Sequence, residues 1–123
     1  MTNADVVRNF CEAWKSRNTD EILGYMSEDC FYHNIPIEPL VGHAAIKGFL
    51  AGFMTILEDV EFKMLNISES REGVVLTERV DRLKMKGKWI ELPVMGAFEL
   101  KGGKITHWRD YYDQRTMETL MAG

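Results

Sequence analysis

The stretch Val75-Leu76-Thr77-Glu78-Arg79-Val80-Asp81-Arg82-Leu83 is followed, across Lys86-Gly87-Lys88, by Ile90-Glu91-Leu92-Pro93-Val94. Side chains alternate sides along a strand. Val75, Thr77, Arg79, Asp81 and Leu83 therefore share one face, and Leu76, Glu78, Val80, Arg82 and Lys84 the other. Beyond the turn, Ile90, Leu92, Val94, Phe98 and Leu100 form a nearly continuous apolar face. The Lys-Gly-Lys break is too short for a helical crossover, so the two runs pair as an antiparallel hairpin. Pro93 has no backbone donor and marks a bulge or an unpaired edge position. Breaks at Arg71-Glu72-Gly73 and Lys101-Gly102-Gly103-Lys104 bound two further runs, so the chain from Val60 to about Asp113 reads as a four-stranded meander.

Upstream the periodicity changes. Val6, Val7, Phe10, Cys11 and Trp14 recur at three- and four-residue steps, which predicts an amphipathic helix from Asn3 to about Arg17, capped by Thr2 with Asp5. Asn18 with Glu21 opens a second, short helix ending near Met26. Phe31 to Ile35 alternates and is halted by Pro36 and Pro39, predicting a short strand with Tyr32 and Asn34 on one side. After Gly42, the residues Ile46, Phe49, Leu50, Phe53, Met54 and Leu57 trace a third helix, and Gln114 to Leu120 a short terminal one. Helices first and a long antiparallel sheet afterwards indicate an α+β domain, with helices over one face of a curved sheet and room for a cavity between them. Residues 1–123 are expected to form one such domain.

Composition narrows the functions available. With 15 Lys and Arg against 19 Asp and Glu the formal charge is −4, and no basic cluster offers a footprint for a phosphate backbone, so nucleic acid is not an expected partner. No apolar run reaches the roughly 18 residues of a membrane span, and the opening residues lack a signal-peptide pattern, so a cytoplasmic protein without a membrane partner is expected. Cys11 and Cys30 have neither redox nor zinc spacing and read as free buried thiols.

In the last strand Trp108, Asp110 and Tyr112 share a face, opposite His107, Arg109 and Tyr111. If Trp108 looks inward, Asp110 goes with it, and five polar residues converge on one apolar pocket: Tyr32, Asn34, Arg79, Asp81 and Asp110. Two carboxylates flanking one guanidinium carry a net −1, and burial favours uptake of a proton. Repulsion and desolvation raise one apparent pKa while the arginine keeps the other carboxylate ionised. The pair then offers one acid and one base, as needed to protonate a leaving oxygen while deprotonating a water. On this reading the formal charge is too negative by about one unit at neutral pH. Tyr32 and Asn34 can both donate and accept hydrogen bonds and so hold that water.

At these residues the sequence resembles the limonene-1,2-epoxide hydrolase family, whose fold is that of the NTF2-like (SnoaL-like) superfamily. The resemblance covers nearly the whole chain. It rests on Tyr32-His33-Asn34-Ile35-Pro36, Thr77-Glu78-Arg79-Val80-Asp81, Gly102 or Gly103 through Lys104-Ile105-Thr106, and Trp108-Arg109-Asp110-Tyr111-Tyr112-Asp113, in that order and spacing. It implies a cone in which N-terminal helices pack on a curved sheet around a hydrophobic pocket. It further implies that Asp110, with Tyr32 and Asn34, activates water, that Asp81 protonates the departing epoxide oxygen, and that Arg79 bridges the two carboxylates. Ring opening in that family is a single step without a covalent ester and without metal or organic cofactor. The resemblance also favours a homodimer formed through the sheet. Against some relatives the chain starts almost at its first helix, without their N-terminal extension, which bears on dimer contacts and pocket closure.

Alternation and helix spacing assign the pocket lining to Phe53, Leu57, Leu83, Leu92, Val94, Trp108 and Tyr112, with Met54 as a further candidate, and so predict a hydrophobic, cyclic or terpene-like epoxide. Competing readings are a structural cross-strand pair for Arg79 and Asp81, a ketosteroid-isomerase-like or polyketide-cyclase-like enzyme, and a binding module without catalysis. An arginine between two carboxylates suits the isomerase poorly, since that reaction needs one base and a neutral donor. His33, His43 and His107 do not form a ligand set: the first and last face away from the pocket, and His43 sits at a helix start where capping is expected. The methionines, Met54, Met64 and Met95 among them, read as core filling.

Overall fold

The capping box written into the first residues is made. In a computed structural model, which describes residues 1–122, the Asp5 N–H donates to Thr2 Oγ1 and the Thr2 N–H to the Asp5 carboxylate, both at 3.0 Å. Helix α1 runs over Asn3–Ala13 and tightens into a 3-10 turn at Trp14–Ser16, ending on Arg17 in the left-handed region at φ 55°. Helix α2, Thr19–Leu23, starts where the Asn18 side chain accepts from the Glu21 N–H at 3.0 Å. It stops short of Met26 because sheet pairing takes over: Tyr25 O already accepts from the Ile105 N–H, and strand β1 is Met26–Asn34.

β1 is longer than the segment expected from alternation. Its first half carries Ser27, Glu28 and Asp29, and its register against the neighbouring strand shifts between Met26 and Phe31, so no period-two pattern marks it. A two-residue strand β2, Leu40–Val41, pairs with Tyr32 and Phe31 and is too short to leave a sequence signal. Helix α3 spans His43–Ile56. His43 does not cap it; Gly42 is the N-cap, and His43 Nε2 instead meets Met26 O at 2.9 Å, tying the helix to β1.

The meander follows as β3 Asp59–Glu69, β4 Val75–Met85, β5 Lys88–Lys101 and β6 Lys104–Tyr111, with α4 at Gln114–Ala122. Asp113 opens α4 by accepting from the Arg115 N–H and the Thr116 hydroxyl. The sheet order is β2-β1-β6-β5-β4-β3, antiparallel throughout except that β1 lies parallel to β6. Register shifts in β3 after Met64 and in β5 after Glu99 bend the sheet. The result is an α+β fold with a curved, mixed six-stranded sheet. Pro93 faces Val80 in β4, but β5 is paired to β6 only from Met95 onward, so its missing donor falls on a free edge.

The core lies between the helices and the inner sheet face. Phe10 of α1 meets Trp14, Tyr25, Phe98 and Trp108 edge-on, with ring centroids 5.0 to 6.4 Å apart. Each such buried side chain contributes roughly 1.5–3 kcal/mol, and together they hold the inner ends of β5 and β6 beneath α1. Cys11 and Cys30 are free and buried, and burial pushes both thiols up to about 12, leaving them protonated. Met95 departs from its expected place: it is 54% exposed on the outer sheet face. No helix among the described residues is long and apolar enough to cross a membrane.

Candidate active site

β4 alternates as its sequence predicts, and its inward row Val75, Thr77, Arg79, Asp81, Leu83 is buried along its whole length. Arg79 and Asp81 are neighbours on that row, so a bidentate pair forms within one strand: Nε and Nη2 donate to the two Asp81 oxygens, each at 2.9 Å. Asp110 arrives from β6 across the narrow β5 backbone, with Gly96 directly opposite it. Nη1 and Nη2 of Arg79 reach its two oxygens at 3.2 and 2.8 Å. The remaining Nη1 hydrogen goes to Thr77 Oγ1 at 3.2 Å. All five guanidinium donors are thereby used, and the Phe62 ring covers the group with its centroid 5.0 Å from Cζ. The Arg79 side chain is 0% exposed, which only a fully paired cation tolerates.

Three contributors to this cluster were not among the five polar residues expected to form it. Gly96 is the gap in the apolar series of β5, and a Cβ there would stand 2.6 Å from Arg79 Nη1, 2.7 Å from Asp110 Oδ1 and 2.8 Å from Thr77 Oγ1. Only a residue without a side chain lets β4 and β6 deliver their charges to one point over β5; the signal was a glycine in a row of large apolar residues. Thr77, expected on the inward row of β4 but given no role there, accepts from Arg79 Nη1. Trp108, expected on the pocket wall, lies under it instead: it is 1% exposed, stacks on Tyr32 at 4.1 Å and donates its indole N–H to Asp110 Oδ1 at 2.7 Å.

The cluster forms the floor of a cavity of about 320 Å³, the lower end of ligand-pocket sizes. Asp81, Asp110, Tyr32 and Asn34 all face it, whereas Arg79 sits behind the carboxylates. Tyr32 and Asn34 are bonded to each other, with Asn34 Nδ2 donating to the phenol oxygen at 3.0 Å, and neither bonds Asp110 directly. Asp110 Oδ2 accepts only from Arg79, so a lone pair remains for a donor in the cavity.

Of the expected lining, Phe53, Leu83, Leu92, Val94 and Tyr112 are on the wall. Leu57 is not: it follows the last residue of α3, 2% exposed, and its carbonyl holds Arg17, so it belongs to the core. Met54 likewise packs on the core rather than on the cavity. Phe49, Phe62, Trp14, Ile37 and the α4 residues Gln114, Met117, Glu118 and Met121 complete the wall. The α4 residues belong to the short terminal helix expected from the sequence, but nothing in its spacing says that it folds back over the sheet. His33, His43 and His107 are absent from the wall, and among the described residues no group of three or more His, Cys, Asp or Glu is placed to hold a metal ion.

Burial pushes the Asp81 carboxyl up to about 6; Arg79 pulls it back and the charge of Asp110 adds to the rise. Burial works against the charge of Arg79, but Asp110 and Asp81 overcome it and hold the guanidinium more firmly protonated than usual. Tyr32 is pushed well up by burial, so its phenol stays neutral. A carboxyl near 6 is protonated in only about a tenth of molecules at pH 7. The formal charge is thus less overstated than the full unit expected, because Arg79 offsets much of the desolvation.

Helices closing a curved mixed sheet over an apolar cavity with a charged floor define the NTF2-like class of α+β domain. A putative polyketide cyclase from Xanthomonas campestris shares this fold at TM-score 0.85, 20% identity, 96% of this chain and 95% of that one. Within the class, the family model of the limonene-1,2-epoxide hydrolase catalytic domain matches residues 1–122, and the chain belongs to that family. Epoxide hydrolase EphG of Mycobacterium tuberculosis is 30% identical over 112 residues, covering 87% of this chain and 70% of that protein. The structure of a Mycobacterium tuberculosis epoxide hydrolase described as LEH-like superposes with a TM-score of 0.84 at 27% identity, over 98% of this chain and 90% of the other.

Proposed function

We propose that this chain, as one catalytic domain, adds water to a hydrophobic cyclic or terpene-like epoxide and releases a vicinal diol in one step. The observation that carries this reading is the Asp81–Arg79–Asp110 cluster: two carboxylates on the floor of an apolar cavity, held by one buried guanidinium behind them. Asp110 is the base. Trp108 and Arg79 fix its oxygens, and a water donating to Oδ2 is held from the other side by Tyr32 and Asn34. Asp81, whose rise toward neutrality is due chiefly to burial, is the acid that protonates the departing epoxide oxygen. Arg79 touches no substrate and acts as a positioning residue that keeps the two protonation states apart.

As the water attacks one epoxide carbon, its proton passes to Asp110, the carbon–oxygen bond breaks, and the oxygen takes the proton of Asp81. The two carboxyls have then exchanged states, and one proton returns through solvent. Groups of this kind typically contribute about 10²–10⁴-fold each. An apolar cavity adds to the effect, because expelling bulk water strengthens both proton transfers. The mechanism calls on no cofactor. Met95 and Tyr111, exposed opposite each other on the outer sheet face, and Leu76, exposed one diagonal step away, support pairing of two copies through the sheet. We take the protein to act in the cytoplasm.

The test is a panel of hydrophobic epoxides with chiral analysis of the diols. Asp81→Asn and Asp110→Asn are each expected to lower turnover at least about 10²-fold while the protein stays folded; full activity in either overturns the mechanism. Single turnover in labelled water is expected to place label in the diol alone, and label in Asp81 or Asp110 would show a covalent ester. Sedimentation checks the dimer. An enolisable ketone that exchanges protons without epoxide turnover would favour the isomerase.

A further inference from the structure

A second cavity, of about 410 Å³, lies beyond the first along the inner face of the β4–β5 hairpin. The two walls run into each other: Leu83, on the first, pairs across the strands with Ile90, on the second, and Met121 of α4 borders both. Ile56, Met85 and Leu120 make the rest of the second wall apolar, and Ile56 is 51% exposed there. The two cavities differ in charge. The first has Asp81 and Asp110 on its floor and Glu118 on its wall, whereas the second has Lys86 and Lys88. Lys86 and Gly87 turn the hairpin in left-handed geometry, at φ 53° and 72°, between the paired Met85 and Lys88, which fixes both lysines at its tip. Among the described residues neither ammonium is in an ion pair, and Glu58, beside the turn, accepts from the Gly87 N–H at 2.5 Å instead. Asp81 and Met85 are four residues apart on one strand, so the acid and the far end of the second cavity stand about 13 Å apart.

We infer that the two cavities take one elongated molecule between them: an alkyl or terpene-like chain with the epoxide at one end and a carboxylate at the other, the carboxylate paired with Lys86 and Lys88. Charge sets the orientation. An acid group is repelled by the floor and by Glu118 in the first cavity and attracted in the second, while the uncharged epoxide meets no such penalty at the floor. The span sets the length, since a short acid cannot put its ring on the floor and its carboxylate at the hairpin tip. Met121 stands where the two cavities meet, and its unbranched side chain, with three rotatable bonds, swings clear of a chain without a change of backbone. This inference rests on reading the first cavity as the epoxide site, yet it concerns binding and is tested without turnover as well as with it.

The terminal epoxides of hexanoate and dodecanoate, each with its methyl ester, are followed as kcat/KM, and the matching cyclopropanes, which cannot be hydrolysed, by calorimetry. For dodecanoate the acid is expected to exceed the ester by roughly tenfold after correction for partition from water, and for hexanoate the order reverses. Salt narrows both differences. In Lys86→Asn with Lys88→Gln the long acid loses its advantage over the long ester, whatever the variant does to both together. In Arg71→Gln with Lys101→Gln, which removes as much charge from exposed positions on neither cavity, the advantage stays. Met121→Trp closes the passage and is expected to erase it. A long ester preferred to the long acid, an acid advantage that survives loss of both lysines, or two cyclopropanes bound per chain overturns the inference. If the cyclopropanes bind in the expected order and no epoxide is opened, the spanning site stands and the hydrolase reading fails. If epoxides are opened with acid and ester alike at both lengths, the reverse follows.

Discussion

Arg79 and Arg82 stand three residues apart on β4, and each bonds two carboxylates. Arg79, 0% exposed, grips Asp81 and Asp110; Arg82, 30% exposed on the other face, meets Glu61 at 2.7 Å and Glu91 at 3.0 Å while lying over Trp89. The contacts are alike, yet the partner acids move in opposite directions. The hydrogen bond from Arg82 holds Glu61 below the usual carboxylate range, whereas burial pushes Asp81 up to about 6 against the pull of Arg79. At the surface the hydrogen bond from the arginine decides; in the cavity desolvation does. One strand thus carries a solvated charge network and an acid–base device, separated by the thickness of the sheet.

The largest effect expected from this contrast is on removing each arginine. Arg79→Met leaves two buried carboxylates without a cation and is expected to cost about 3–5 kcal/mol of stability, with loss of nearly all turnover. Arg82→Met is expected to cost less than about 1 kcal/mol and to leave turnover intact. Urea unfolding of both variants measures the difference, and equal costs would mean that burial is not what separates the two faces.

The next is a glycine pair. Gly96→Ala forces a methyl into space held by Arg79, Asp110 and Thr77, and it is expected to lower kcat about 10²-fold through displaced carboxylates. Gly52, in α3 with nothing within 4 Å of an added Cβ, is expected to gain about 0.5–1 kcal/mol on substitution by alanine, with activity unchanged. Thermal unfolding and turnover of the two variants separate backbone propensity from the close approach at the cluster.

The third is pH. Folded Asp81 binds its proton more tightly than the unfolded carboxyl at 3.8, so between 3.8 and about 6 the folded state holds more protons and stability falls as pH rises, by roughly 3 kcal/mol over the window. Glu61, lowered in the fold, contributes stability that is present at higher pH and lost as pH falls through the carboxylate range. Asp81→Asn should remove the first slope and Glu61→Gln the second. In turnover, the free enzyme needs Asp81 protonated, so kcat/KM is expected to fall about tenfold per pH unit above about 6, and a flat profile to pH 8 would remove Asp81 as the acid. Smallest is the salt response: high salt should weaken the Arg82 network and leave Arg79 untouched, so the cost of Arg82→Met should shrink in concentrated salt.

Much of this is legible in the amino-acid sequence. The period-two rows of β4, β5 and β6 put Arg79, Asp81 and Asp110 on inner faces, and Phe31 to Ile35 did the same for Tyr32 and Asn34. Local pattern also placed α1, α3 and three tight turns, because capping and turn chemistry act over three or four residues. It failed where structure rests on distant partners. The first half of β1 is a strand because β6 pairs with it, not because Ser27, Glu28 and Asp29 favour one. Leu57 obeys the helical spacing of α3 but ends that helix, so its side chain drops into the core. Trp108 has the right face yet lies beneath Tyr32 rather than beside a substrate.

The amino-acid sequence by itself determined which side chains face inward and which residues could divide acid from base, since alternation and charge are properties of the strand and its residues. Only the tertiary structure decided that they work on one point. The bidentate grip on Asp110, the bare backbone of Gly96 between the carboxylates, the indole N–H under the base and the floor of the cavity all depend on register across three strands. That register is set by pairing and packing over the whole sheet, and no single segment encodes it.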